Sequence, residues 1–190
     1  MRSVFVAIIA CLSLLSLLES PTSLVAAQAP AGGMWRFNGY VVSLVVSPEQ
    51  PPVVYALTMR NDLHRNQFLW AIYRSADGGR NWSPFDQRGL ESVSLPRLLT
   101  MDYRDPGNLY LLGSLDQPSL VDAFLFRKTR TGPWQRIGNQ TTLTALAADF
   151  QSTNVLFGAE YVPGYCSYNR FVRSTDGGQT WSEHQQSDER

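Results

Sequence analysis

Two short stretches, Ser174-Thr175-Asp176-Gly177-Gly178-Gln179-Thr180-Trp181 and Ser75-Ala76-Asp77-Gly78-Gly79-Arg80-Asn81-Trp82, share the pattern Ser-x-Asp-Gly-Gly-x-x-Trp. Asp-Gly-Gly admits the positive φ angles of a tight turn between two strands. The carboxylate can accept backbone N–H bonds from that turn. The Trp ring can then pack against the base of the hairpin. Each stretch therefore predicts a hairpin whose turn is held from inside.

Working outward, Trp35, Trp82, Trp134 and Trp181 stand 47, 52 and 47 residues apart, with only Trp70 outside the series. A second register agrees: 43–57, 98–113 and 145–159 each read as an apolar strand, a polar turn and another apolar strand. In it Tyr55, Tyr110 and Phe157 coincide, and Ser47, Asp102 and Asp149 each lie eight residues earlier. In a third register, Arg74, Arg127 and Arg173 each stand just before a turn that ends at a Trp of the series. The unit of about 50 residues shows period-2 rather than helical patterning. Four strands per unit are expected, at 41–47, 53–58, 67–74 and 81–86, at 97–103, 108–113, 121–128 and 133–137, and at 143–150, 154–159, 169–174 and 179–183. Four short antiparallel strands at this period describe a β-propeller blade. The fold class read here is all-β, with three four-stranded blades (about 41–86, 97–137 and 143–183). Trp35-Arg36-Phe37 adds an N-terminal orphan strand that resembles a fourth strand without its blade.

The turn motif resembles the Asp-box, or bacterial neuraminidase repeat, through Ser75, Asp77, Gly79 and Trp82 and through Ser174, Asp176, Gly178 and Trp181. Unit two departs from it: Lys128-Thr129-Arg130-Thr131-Gly132-Pro133-Trp134 is one residue shorter and lacks the Ser and the Asp. The resemblance implies a propeller of the sialidase, sortilin or photosystem II assembly factor type, in which the boxes are structural. Asp77 and Asp176 do not form a catalytic pair, because equivalent positions in separate blades lie far apart on the rim. Family functions divide between glycoside hydrolases and non-enzymatic binders, and the fold does not choose among them. The early Arg-Ile-Pro motif of the sialidases and the cysteine-rich region of sortilin are both absent from this sequence.

Composition narrows the classes. Sixteen Lys+Arg balance sixteen Asp+Glu, and Lys128 is the one lysine. A neutral chain with dispersed charge lacks the basic stripe of a nucleic-acid binder. Two Cys and two His leave little for a metal centre or a disulfide scaffold, so no cofactor and no metal are expected. Arg2, the apolar run Val4–Leu18 and the small residues that follow read as a signal peptide over 1–27, with a linker at 28–34 and the repeats at 35–190. The expected location is extracytoplasmic, secreted or periplasmic, with no stable membrane span once the signal is cleaved.

In such a blade the loops from second to third strand share one face, and the box turns lie on the other. Loops on a rigid scaffold carry function. The candidate ligand residues are therefore Arg60, His64 and Arg65 in 59–66, and Tyr161, Tyr165 and Tyr168 in 160–168. The reading is an exported binding or scaffolding module for a glycan or protein; the alternative is a fragment of a sialidase-like or other glycoside hydrolase. Three units fall short of the roughly 4–8 blades of a closed propeller. Two completions are expected to compete: further blades on a longer chain, or a homodimer forming a six-bladed ring in which the orphan strand completes the partner's third blade. Without either, three blades in an arc leave apolar inner-strand faces bare, with Val42, Leu44, Val46, Leu146 and Ala148 expected to meet water.

Overall fold

A computed structural model of the chain describes residues 27–28, 36–37, 39–65, 67–115 and 123–183. The signal segment up to residue 26, Trp35 and the tail from 184 onward lie outside the described residues, as does most of the 114–120 loop. Among the described residues every helix-or-strand element is a strand. β1 (Ala27–Gln28) pairs with β2 (Arg36–Phe37). Unit one holds β3 (Tyr40–Val46), β4 (Val54–Asp62), β5 (Gln67–Ser75) and β6 (Ser83–Pro84). Unit two holds β7 (Val93–Met101), β8 (Leu109–Leu115), β9 (Ala123–Lys128) and β10 (Trp134–Thr141). Unit three holds β11 (Leu143–Ala148), β12 (Leu156–Val162), β13 (Tyr168–Ser174) and β14 (Ser182–Glu183). Each unit is one four-stranded antiparallel meander, as the repeat predicts. The fourth strands of units one and three are shorter than expected, because the box residues ahead of them are spent on the turn.

The sequence registers become physical pairs. Tyr55 faces Arg74, Tyr110 faces Arg127 and Phe157 faces Arg173 across neighbouring strands. In units two and three the guanidinium lies 5.8 Å from the ring centroid. The first turn of every unit is closed by the same backbone bond: Ser47 N–H donates to the Val53 carbonyl (2.8 Å), Asp102 to Asn108 (2.9 Å) and Asp149 to Val155 (2.9 Å). The second of two short-range bonds there reuses the side chain, with Val53 N–H donating to Ser47 Oγ and Arg104 and Gln151 N–H donating to Asp102 and Asp149 Oδ1.

The units stack face to face, and the period-2 alternation of strands supplies both faces. Leu109 and Leu111 of β8 join Val45, Tyr55, Leu57 and Ile72 of unit one in one core. Tyr110 and Leu112, the alternating residues, join Leu146, Leu156 and Val172 of unit three in a second. First strands also sit side by side: Ser43 Oγ on β3 donates to the Leu99 carbonyl of β7 at 3.0 Å. Three blades in an incomplete propeller follow from this arrangement.

The outer faces of the stack are open. On unit one, Leu44 (59 % exposed) and Val46 take the register positions that Leu99 and Met101 fill, buried, in unit two. Unit three differs from the expectation. Leu146 is buried and Ala148 partly so, because both face unit two; the open side carries the alternating residues Ala145, Ala147, Phe157 and Phe171. Phe171 is 73 % exposed, whereas its register equivalents Ile72 and Leu125 are fully buried under the next blade. Val42 is likewise packed against the core of units one and two rather than free.

Candidate functional site

The two box turns are closed hydrogen-bond systems. In unit one Ser75 Oγ donates to Asp77 Oδ1 at 2.8 Å and accepts the Gly79 N–H at 2.8 Å. Asp77 in turn accepts the Asn81 N–H at Oδ1 (2.8 Å) and the Asn81 side-chain amide at Oδ2 (2.7 Å). Trp82 Nε1 donates to the Gly79 carbonyl at 2.9 Å. Unit three repeats the set: Ser174 Oγ donates to Asp176 Oδ1 and accepts from Gly178, and Asp176 holds the Thr180 N–H (3.0 Å) and hydroxyl (2.6 Å). Gly78 and Gly177, at φ 72° and 75°, provide the left-handed step and donate their N–H to Pro52 and Asn154 of the neighbouring turn. Among the described residues, the Trp181 indole N–H is buried without a partner, unlike that of Trp82.

This environment fixes the charge. Asp77 titrates at about 2, lowered chiefly by the Asn81 N–H, then by the Asn81 amide and the Ser75 hydroxyl. Asp176 also titrates at about 2, held down by the Thr180 hydroxyl and then its N–H. A depressed folded pKa gives stability that is complete above the unfolded value near 3.9 and is lost as pH falls through about 2. The Asp77→Asn/Asp176→Asn double variant should therefore melt several degrees below the wild type at pH 7, with the gap closing between pH 4 and pH 2. Thermal melts at pH 7, 4 and 2 check this; a gap independent of pH would remove the carboxylates from the account.

Unit two solves its turn differently. Lys128 pairs with Leu109 across the sheet, the position that Ser75 and Ser174 hold opposite Val54 and Leu156. Its buried ammonium donates to the Gly132 carbonyl (2.6 Å) and to Asp86 Oδ2 (3.0 Å), and lies 5.5 Å from the Phe85 ring centroid. Asp86 also takes a two-pronged contact from Arg88, at 2.9 Å on each oxygen. The Arg88 guanidinium above all, with its N–H and Lys128, holds Asp86 well below the usual carboxylate range. Sequence reading missed this pair; its signal was a single lysine among fifteen arginines, at the box Ser position.

The predicted ligand residues fall on two separate hairpin tips. Arg60 lies near the end of β4, and Asp62 Oδ1 accepts the N–H groups of His64 and Arg65 to shape the tip of the β4–β5 hairpin. Arg65 Nε stands 3.9 Å from Asp62 Oδ2. On the β12–β13 tip, Tyr161 Oη donates to Ser167 Oγ (2.9 Å), which donates to the Gly164 carbonyl (3.1 Å). Tyr165 is fully exposed and Tyr168 half-exposed on that tied loop. No bond joins the two tips among the described residues, so the structure does not bring the Arg/His and Tyr groups into one site. Cys166, also on this tip, is a free, exposed thiol. Among the described residues no group of His, Cys, Asp and Glu could hold a metal ion, and no helix is long and apolar enough to cross a membrane.

The BNR/Asp-box repeat family model matches residues 172–183, from β13 through the box of unit three into β14. Units one and three carry Asp-box turns. No curated protein matches it. Among solved structures a GH74 xyloglucanase from Xanthomonas campestris is similar, with a TM-score of 0.50 and 22% sequence identity over 83% of this chain and 21% of that one. At that identity the likeness concerns the fold, and this Asp-box chain spans about a fifth of that protein's length.

Proposed function

We propose that these Asp-box blades belong to an exported propeller that binds a glycan or protein ligand rather than turning a substrate over. The observation that carries this reading is the β12–β13 tip. It displays Tyr165 and Tyr168 to solvent while Tyr161, Ser167 and Gly164 tie the loop beneath them. Rigid, exposed tyrosines supply contact area at low entropic cost and suit the faces of sugars or peptides. The box carboxylates offer no competing chemistry. A glycosidase general acid needs a raised pKa, whereas Asp77 and Asp176 titrate at about 2. The glycoside hydrolase alternative draws on the Asp-box resemblance to sialidases, beside which the likeness to a xyloglucanase is one of fold.

The open faces of units one and three would receive further blades of the same repeat. Phe37 of β2 packs on Tyr73 of the third strand of unit one, 5.1 Å between ring centroids, and on Trp82. Phe85, just past β6, packs in the same way beside Lys128 at the end of the third strand of unit two. β2 thus holds the place of a fourth strand in a blade ahead of unit one, as the orphan-strand reading anticipates. A second copy of the chain is the weaker occupant, because β14 already fills the fourth-strand place of unit three that β2 would have to take.

The test compares wild type with the Tyr165→Ala/Tyr168→Ala variant on a glycan array and against fluorogenic sialosides and β-glucosides. Expected are array binding that falls about tenfold or more in the variant, no turnover, and an unchanged melting temperature. Turnover of either glycoside class would favour the hydrolase reading.

A further inference from the structure

Losing the Asp-box in unit two opens a space between units one and two. At the interface of units two and three, the box of unit three fills the corresponding place. A Cβ on Gly177 would meet Arg127 Nη1 at 3.1 Å, Asn154 Oδ1 at 3.3 Å and Tyr110 Oη at 3.4 Å. One blade earlier the register equivalents are Tyr55, Arg74 and Gly107; the shortened turn that starts at Lys128 lays Arg130 against Gly107 and leaves a cleft beside Tyr55 and Arg74. What remains is a cleft of about 410 Å³ lined by Tyr55, Arg74, Phe85, Lys128 and Arg130, with Glu49 among its walls. That volume lies within the range of small-molecule sites.

We propose that this cleft binds a small organic carboxylate of one negative charge, of the size of a hexuronate. The charges decide the class. Asp86 compensates Lys128, and Asp105 compensates Arg130 at 3.3 Å. Of the three cations lining the cleft, the Arg74 guanidinium alone has no hydrogen-bond or ion-pair partner among the described residues, whereas its equivalents Arg127 and Arg173 each lie over an aromatic ring. A guanidinium offers a carboxylate two parallel N–H bonds. Lys128 spends two of its three N–H donors on Asp86 and Gly132, which leaves one for a ligand oxygen. Phe85 and Tyr55, packed edge to face at 5.0 Å, provide an apolar wall for the ligand body. Glu49 disfavours a second negative charge, so phosphate-like dianions fit worse. This site lies at the box end of the blades, opposite the tyrosine tip, and is independent of the ligand proposed there.

Calorimetric titration with sodium glucuronate, glucose and inorganic phosphate tests the proposal. Expected are saturable binding of glucuronate and none of glucose, phosphate binding at least about tenfold weaker, and loss of about tenfold or more in glucuronate affinity for Arg74→Gln. A second variant, in which residues 128–133 are replaced by the sequence of 174–180, should fill the cleft and abolish binding while still melting cooperatively. The proposal is overturned if glucose binds as well as glucuronate, if no glucuronate binding is measurable at millimolar concentration, or if the filled-cleft variant still binds.

Discussion

Replacing Trp134 by alanine should destabilise the chain by about 3–5 kcal/mol, the range for removing a fully buried large aromatic side chain. Of the three described Trp residues of the repeat series, Trp134 alone is buried, at 2 % exposure. Its indole Nε1 donates to the Asp86 carbonyl at 2.9 Å, and its backbone N–H donates to the Arg88 carbonyl at 2.8 Å. It thereby fastens the segment that leads from unit one into β7 onto the fourth strand of unit two. Gly89, at φ 94°, lies so close to the Trp134 backbone that a side chain there would collide with it. The ring packs in the core shared by Leu90, Val93 and Phe126, so its loss leaves a cavity as well as an unpaired carbonyl. Trp82→Ala and Trp181→Ala should cost clearly less, because both rings are half-buried. Urea unfolding of the three variants checks the order; an equal or larger loss for Trp181→Ala would refute it.

Lys128→Ala should cost about 2–3 kcal/mol. Removing one partner of a fully buried ion pair costs about 3–5 kcal/mol; the lower figure follows because Asp86 is partly exposed and keeps its contacts with Arg88. The variant strands the Gly132 carbonyl inside a turn that has no box to hold it. Lys128→Arg should recover little. The planar fork cannot sit where a compact ammonium touches Asp86 and Gly132 together. Full rescue by arginine, measured by the same unfolding series, would show that charge alone matters and that the geometry described is wrong.

Much of this fold was legible because repetition converts sequence spacing into spatial equivalence. Tyr55, Tyr110 and Phe157 stood in one column of the repeat and Arg74, Arg127 and Arg173 in another; the strands pair them directly. Ser47, Asp102 and Asp149 closed three equivalent turns with one shared backbone bond. The face of unit three was misassigned for a specific reason. A propeller strand is apolar on both sides, so alternation in Ala145-Leu146-Ala147-Ala148 does not say which side meets a neighbour. The replacement of the box in unit two was invisible as chemistry, since Lys128 and Asp86 lie 42 residues apart and meet only when units one and two pack. The cleft beside Arg74 is a property of a turn too short to fill it, which no single residue announces.

The most direct test of the account is light scattering of the purified chain from Gln28 onward, alongside the Phe157→Ser/Phe171→Ser variant. If units one and three expose faces built to receive other blades, the wild type should run heavier than a monomer or as a mixture of masses, since apolar surface of this kind drives association. The variant, with its open face made polar, should shift toward the monomer mass. A wild-type chain that is a single, sharply melting monomer, indifferent to both substitutions, would contradict the incomplete propeller described here.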